Sequence, residues 1–257
     1  MTDLRAVSTD ETRPEPELEH DSERGEEWDD TPTSLQLRAL ATVFVGALLL
    51  WSQSHSPIDT RANWMQWIWF QVVANLFLPL GIVWLFFAQT IRHQSYLRNQ
   101  ALNAWNYGWN FRDWKTDVKW ALMMTTAMLP LLWFFSRQSS TRIFYANYFP
   151  SQNDVGFLAL LLTIVVYMLC WEWFFRGFLL FGIAQAFSEK WAPFVAIPLQ
   201  AALFGWAHSG KPAPEMYASF LGGTVLGIVA WRQKSWLAPF LTHALVHVIW
   251  AILVLKL

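Results

Sequence analysis

The side chains able to do chemistry fall into three short groups in the C-terminal part of the chain. In Cys170-Trp171-Glu172-Trp173-Phe174-Phe175-Arg176-Gly177 a carboxylate and a guanidinium stand four apart, so a helix puts them on one face within pairing reach. Such a pair is either an ion pair that fixes helix register or a carboxylate, held by its arginine, that activates water. In Phe204-Gly205-Trp206-Ala207-His208 a histidine closes an apolar run, Gly205 lets another helix come close, and Ser209-Gly210-Lys211-Pro212 turns the chain away. In Thr242-His243-Ala244-Leu245-Val246-His247 two imidazoles stand one helical turn apart. They can bind one metal ion together or donate two hydrogen bonds to a developing oxyanion, and the two uses need different protonation states. Glu215, seven residues after His208, is either a helper carboxylate or an interface charge.

These groups sit in a chain made for lipid. Of its 257 residues 54% are hydrophobic and 14% charged, with 18 Trp and 20 Phe, too apolar for a soluble domain of this length. Seven stretches are long enough to cross a hydrocarbon core of about 30 Å as helices, near 36–53, 65–91, 118–136, 156–185, 191–208, 214–231 and 236–256. The runs lack the alternation of barrel strands, and only helices or closed barrels satisfy a backbone in lipid. The expected fold is an all-α polytopic transmembrane bundle of about seven spans.

An ionisable side chain inside a span costs at least about 2.5–3.5 kcal/mol, so each is a functional candidate. The first three spans have almost none in their interiors, whereas the last four carry Glu172, Arg176, His208, His243 and His247, with Glu215 at an edge. The aromatics Trp64, Trp67, Trp69, Trp133, Tyr145, Tyr148, Trp191 and Trp236 crowd span ends and read as interface anchors.

The charge is uneven. Twelve of the 19 acidic residues lie in the first 30 positions against Arg5, Arg13 and Arg24, so residues 1–34 read as a disordered acidic tail. No basic region followed by an apolar stretch opens the chain, so the first hydrophobic segment is expected to act as an uncleaved anchor. Arg92, Arg98, Arg112, Lys115 and Lys119 cluster between the second and third spans, which places that connection and the N-terminus in the cytoplasm. The single Cys170 permits no intramolecular disulfide.

The three groups, in this order on successive membrane segments, resemble the type II CAAX-prenyl endopeptidase family of intramembrane proteases, also called Abi or CPBP proteins. The family pattern is Glu-Glu-x-x-x-Arg, then Phe-x-x-x-His, then His-x-x-x-Asn. Here it is met by Glu172 and Arg176, Phe204 and His208, and His243, with His247 in place of the Asn. Trp171 stands where the family has its first glutamate, the residue usually credited with activating water. The resemblance covers about residues 155–250, so the chain divides into the tail 1–34, a three-span region 35–154 and a four-span protease core 155–257.

The resemblance implies an intramembrane endopeptidase acting on a membrane-associated or lipidated protein or peptide, with the lipid bilayer but no nucleic acid as a further partner, in a bacterial inner membrane. Glu172 is then the general base, oriented by Arg176, with His208 assisting and His243 and His247 stabilising the oxyanion. No cofactor is implied, although Glu172 and three histidines could hold a divalent metal such as zinc. Trp171 supports a second reading, a catalytically inactive membrane protein serving as an immunity factor or scaffold. At ~1.5 Å per residue, Glu172 and His208 stand ~24 and ~30 Å along their helices from the turn near residue 188. They meet only if a helix tilts or bends, for which Pro193 and Pro198 give opportunity.

Overall fold

A computed structural model of the chain describes residues 32–93, 107–150 and 154–256. The acidic residues of the tail and Arg98 of the basic connection lie outside the described residues. Among these there are eight helices and no strand. Helix α1 is Pro32–Ser54. Helix α2 runs Trp64–Val72, widens to a π-helical turn over Val73–Phe77 and continues over Leu78–His93. Then come α3 (Trp114–Phe135) and α4 (Ser139–Tyr148). Helix α5 is Phe157–Glu172, continues as a π-helix over Trp173–Phe181 and ends over Gly182–Ala184. Last are α6 (Ala192–Trp206), α7 (Ala213–Gln233) and α8 (Leu237–Lys256).

The chain is an integral membrane protein with an all-α polytopic bundle. Five segments are long and apolar enough to span: Leu35–Ser54, Trp64–Phe86, Trp114–Phe135, Phe157–Ala184 and Leu237–Leu255. Two of the seven expected spans fall short of that standard for different reasons. Helix α6 has 15 residues, ~22 Å, short of a ~30 Å core. Helix α7 has 21 residues, but its glycines, Glu215 and Arg232 dilute its hydropathy. The two pack closely on each other, and α8 packs on both α3 and α5.

The bundle is apolar on its surface as well as in its core, and a few polar side chains are enclosed. Phe44, Leu158, Phe194 and Leu221 are exposed on its surface, where a membrane supplies an apolar solvent, while Glu172, Arg176, Gln200 and Asn75 are fully buried. The first two helices are joined by amides: Gln53 Nε2 donates to Asn75 Oδ1 at 2.9 Å, and Asn75 Nδ2 to Gln71 Oε1 at 2.6 Å. Between α6 and α7, glycine does the work. A Cβ on Gly205 would collide with the Phe220 ring of α7, and one on Gly223 would press within 3.2 Å of the Ala201 Cα. At the same crossing Gln200 Nε2 donates to the Gly223 carbonyl at 2.8 Å.

The interface belt needs correction. Trp69, Trp133 and Trp191 are exposed, as anchors should be, but Trp64, Trp67, Trp236 and Tyr145 are buried. Trp64 turns inward because its indole N–H finds an acceptor there, Thr163 Oγ1 at 2.8 Å.

Candidate active site

The site is built from α5 outwards. The π-helical stretch of this helix begins at the residue after Glu172 and carries Arg176, a widening that re-aims side chains and recurs at functional sites. Arg176 Nη1 lies 2.8 Å from Glu172 Oε1, with both side chains fully buried. The same oxygen lies 2.6 Å from Nδ1 of His243 on α8. One carboxylate oxygen thus accepts from both Arg176 and His243.

Phe204 on α6 ties the groups together. Its ring centroid is 4.4 Å from the Arg176 guanidinium, 4.6 Å from the His208 ring and 5.8 Å from that of His243. His208 Nδ1 lies 2.7 Å from the Phe204 carbonyl oxygen. A carbonyl only accepts, so Nδ1 of His208 carries the proton, and its Nε2 offers a lone pair when the ring is neutral. The same reasoning applies to His243, whose Nδ1 donates to the Glu172 carboxylate. The ring of His247 lies 5.2 Å from that of His243.

His208, His243 and His247 wall a cavity of about 440 Å³, with Phe204, Glu215 and Tyr145 also on its surface and Met124, Met128 and Leu131 of α3 along an apolar side. Glu172 and Arg176 are not on that surface. They are packed behind His243, so Glu172 reaches the cavity only through an imidazole. The structure therefore gathers Glu172, Arg176, His208, His243 and His247 in one connected cluster, but only the three histidines face the space where a substrate would lie.

Trp171 is buried as well. Its ring packs on Tyr167 at 5.4 Å and Phe175 at 5.0 Å, and meets His208 edge-on at 6.2 Å. A large apolar side chain, instead of a carboxylate, thus stands beside His208. The alternative metal set is not assembled: among the described residues no three His, Cys, Asp or Glu side chains come together with ligand spacing, and Glu172 Oε1 already serves Arg176 and His243.

Sequence reasoning missed the inward role of Tyr145. This residue of α4 is fully buried, and its hydroxyl lies 2.7 Å from each carboxylate oxygen of Glu215. Burial first, then the Glu215 charge, pushes the Tyr145 hydroxyl well above its ordinary 10.0, so it keeps its proton and donates it to the carboxylate. Lys211 Nζ adds a second contact, 2.8 Å to Glu215 Oε1. A 70-residue separation between Tyr145 and Glu215 hides this pairing from any local pattern.

Residues 153–249 match the model of a family described as type II CAAX prenyl endopeptidase Rce1-like. No curated protein and no solved structure gives a match.

Proposed function

We propose, from the match of residues 153–249 to the type II CAAX prenyl endopeptidase Rce1-like model, that the protein belongs to that family and hydrolyses a peptide bond of a membrane-associated or lipidated substrate in the cavity walled by His208, His243 and His247. One observation carries the reading, the 2.6 Å contact of Glu172 Oε1 with His243 Nδ1, because it leaves Nε2 of a cavity-wall imidazole as a proton acceptor.

His243 is then the general base. Water gives a proton to Nε2 as its oxygen bonds to the scissile carbonyl carbon, and the imidazolium passes that proton to the amide nitrogen before the C–N bond breaks. Glu172 holds the ring in this tautomer and balances the imidazolium charge. Arg176 offsets the buried carboxylate between turnovers. This moves the base from Glu172, which has no face on the cavity, to the histidine that it holds.

His208 offers a second acceptor, so the nucleophilic water is gripped through both of its protons. His243, with Nδ1 committed to Glu172, has no N–H left in its neutral form for an oxyanion, so that role falls to His247. No step runs through a metal ion. We place the enzyme in a bacterial inner membrane with its N-terminus cytoplasmic, a reading supported by the basic residues Arg92, Arg112, Lys115 and Lys119 between the second and third spans.

The test compares membranes of cells carrying the wild-type protein with those carrying His243→Ala, scoring new peptide carboxyl termini by mass spectrometry. Peptides released only by the wild type are expected. Identical peptide sets from the two would remove the reading.

A further inference from the structure

The histidines account for water and oxyanion but leave one charge of the reaction unanswered. When the amide nitrogen takes its proton, it carries a positive charge until the C–N bond breaks, and an apolar cavity is a costly place for that charge. We propose that Glu215 is a catalytic carboxylate that accepts the hydrogen bond of this departing nitrogen and balances its charge.

Among the described residues on the cavity wall, Glu215 is the acidic one. It is also held. Tyr145 Oη lies 2.7 Å from both of its oxygens and Lys211 Nζ 2.8 Å from Oε1. Tyr145 is itself fixed, with its ring 5.4 Å from those of Phe149 and Trp250. A carboxylate has about four acceptor positions, and one hydroxyl proton with one ammonium proton fills two, which leaves capacity for an incoming N–H.

The plainer reading is a charge at a helix start. Glu215 lies in the first turn of α7, paired to Lys211 at i,i+4, an arrangement worth only a few tenths of a kcal/mol on a surface. That reading does not require a buried tyrosine from another helix, nor a place on the wall that carries the three histidines. Lys211 also suits the catalytic role. It neutralises Glu215 while the cavity is empty, so the site does not keep an uncompensated anion.

The atoms balance as ordinary hydrolysis. Water oxygen bonds to the carbonyl carbon, its proton travels through His243 to the nitrogen, and the C–N bond breaks to give an acid and an amine. Glu215 neither gains nor loses a covalent bond. Its need depends on the leaving group, because an alcohol leaving from an ester takes the same proton without passing through a cationic nitrogen.

The inference rests on the peptidase reading, and the test separates the two. Reconstituted wild-type protein and Glu215→Gln are assayed on a peptide cut by the wild type and on the matching ester. The expected result is a fall of about 100-fold in kcat for the amide against less than about 3-fold for the ester, with Glu215→Asp recovering part of the amide rate. Equal losses on both substrates, or no loss on either, overturn the role. If Glu215→Gln does not purify as a monodisperse protein, Tyr145→Phe takes its place, with kcat for the amide expected to fall about 10-fold at unchanged KM and the ester rate unchanged. Equal rates on the amide for that variant and the wild type would overturn the role too. Glu215→Gln that cuts the amide as well as the wild type removes this inference alone, whereas His243→Ala that cuts it as well as the wild type removes the peptidase reading with it.

Discussion

Oε1 of Glu172 and Nδ1 of His243 lie 2.6 Å apart although 71 positions separate them, and the contact joins α5 to α8 beneath the cavity floor. Glutamine at 172 keeps the shape but removes the charge that balances an imidazolium. Glu172→Gln keeps an oxygen that can accept from Arg176 but leaves that buried charge unbalanced, so it is expected to lower kcat by about 100-fold or more and to cost about 1–3 kcal/mol of stability. Glu172→Ala leaves Arg176 buried without its anion and is expected to cost about 3–5 kcal/mol of stability as well. Thermal melting in detergent alongside the peptide assay distinguishes the two, and a fully active Glu172→Gln protein would reduce the contact to a structural one.

Arg176 tests the same cluster from the other side. Its guanidinium pairs with Glu172 and stacks on Phe204, so Arg176→Met alone strands a buried carboxylate. Arg176→Met combined with Glu172→Gln removes both charges together, and this double variant is expected to melt several degrees above Arg176→Met while remaining poorly active. A double variant no more stable than the single one would mean that the pair is not energetically coupled.

The fold class was legible because lipid leaves few options: long apolar runs must be helices, and the membrane protein is all-α. The candidate residues were legible for the same reason, since Glu172 and Arg176 stand out where ionisable side chains are costly. What each residue faces was not. In helices apolar on every side no polar stripe marks the inner face, so Tyr145 and Trp64 looked like belt aromatics, and Glu172 looked like the residue that meets water. Burial of Glu172 behind His243 is decided by the packing of α8 on α5, and the Tyr145–Glu215 pair by the placement of α4 against the start of α7. Helix lengths were misjudged at α6, where Pro212 and the turn after Trp206 follow an apolar run only 15 residues long.

Trp171 separates an altered site from a decayed one. Its ring is packed on Tyr167, Phe175 and His208. Trp171→Glu therefore exchanges a buried aromatic for an unpaired carboxylate. The variant is expected to lose about 3 kcal/mol or more of stability and to gain no activity, whereas Trp171→Phe should retain both within small factors. A large gain of proteolysis in Trp171→Glu would favour the inactive-scaffold alternative for the wild type.

Metal dependence has a direct measurement. The described side chains do not assemble three His, Cys, Asp or Glu ligands around one point. Purified protein is expected to carry well under one zinc per chain and to keep its peptidase rate after incubation with a chelator. Stoichiometric metal together with chelator-sensitive, zinc-restored activity would contradict this arrangement.

The α6–α7 crossing carries His208 and Glu215 at neighbouring ends of two helices, so its closeness sets the shape of the cavity. Gly205 has no Cβ because the Phe220 ring occupies that space. Gly205→Val is expected to force the helices apart at a cost of about 1–3 kcal/mol, and to lower activity more than stability alone explains, because Phe204 and His208 move with the backbone. Phe220→Ala leaves room for the added side chain. The combined variant should therefore recover much of the melting temperature lost by Gly205→Val, a positive coupling read from a double-mutant cycle. Additive losses would show that the Phe220 contact does not limit the approach of α7.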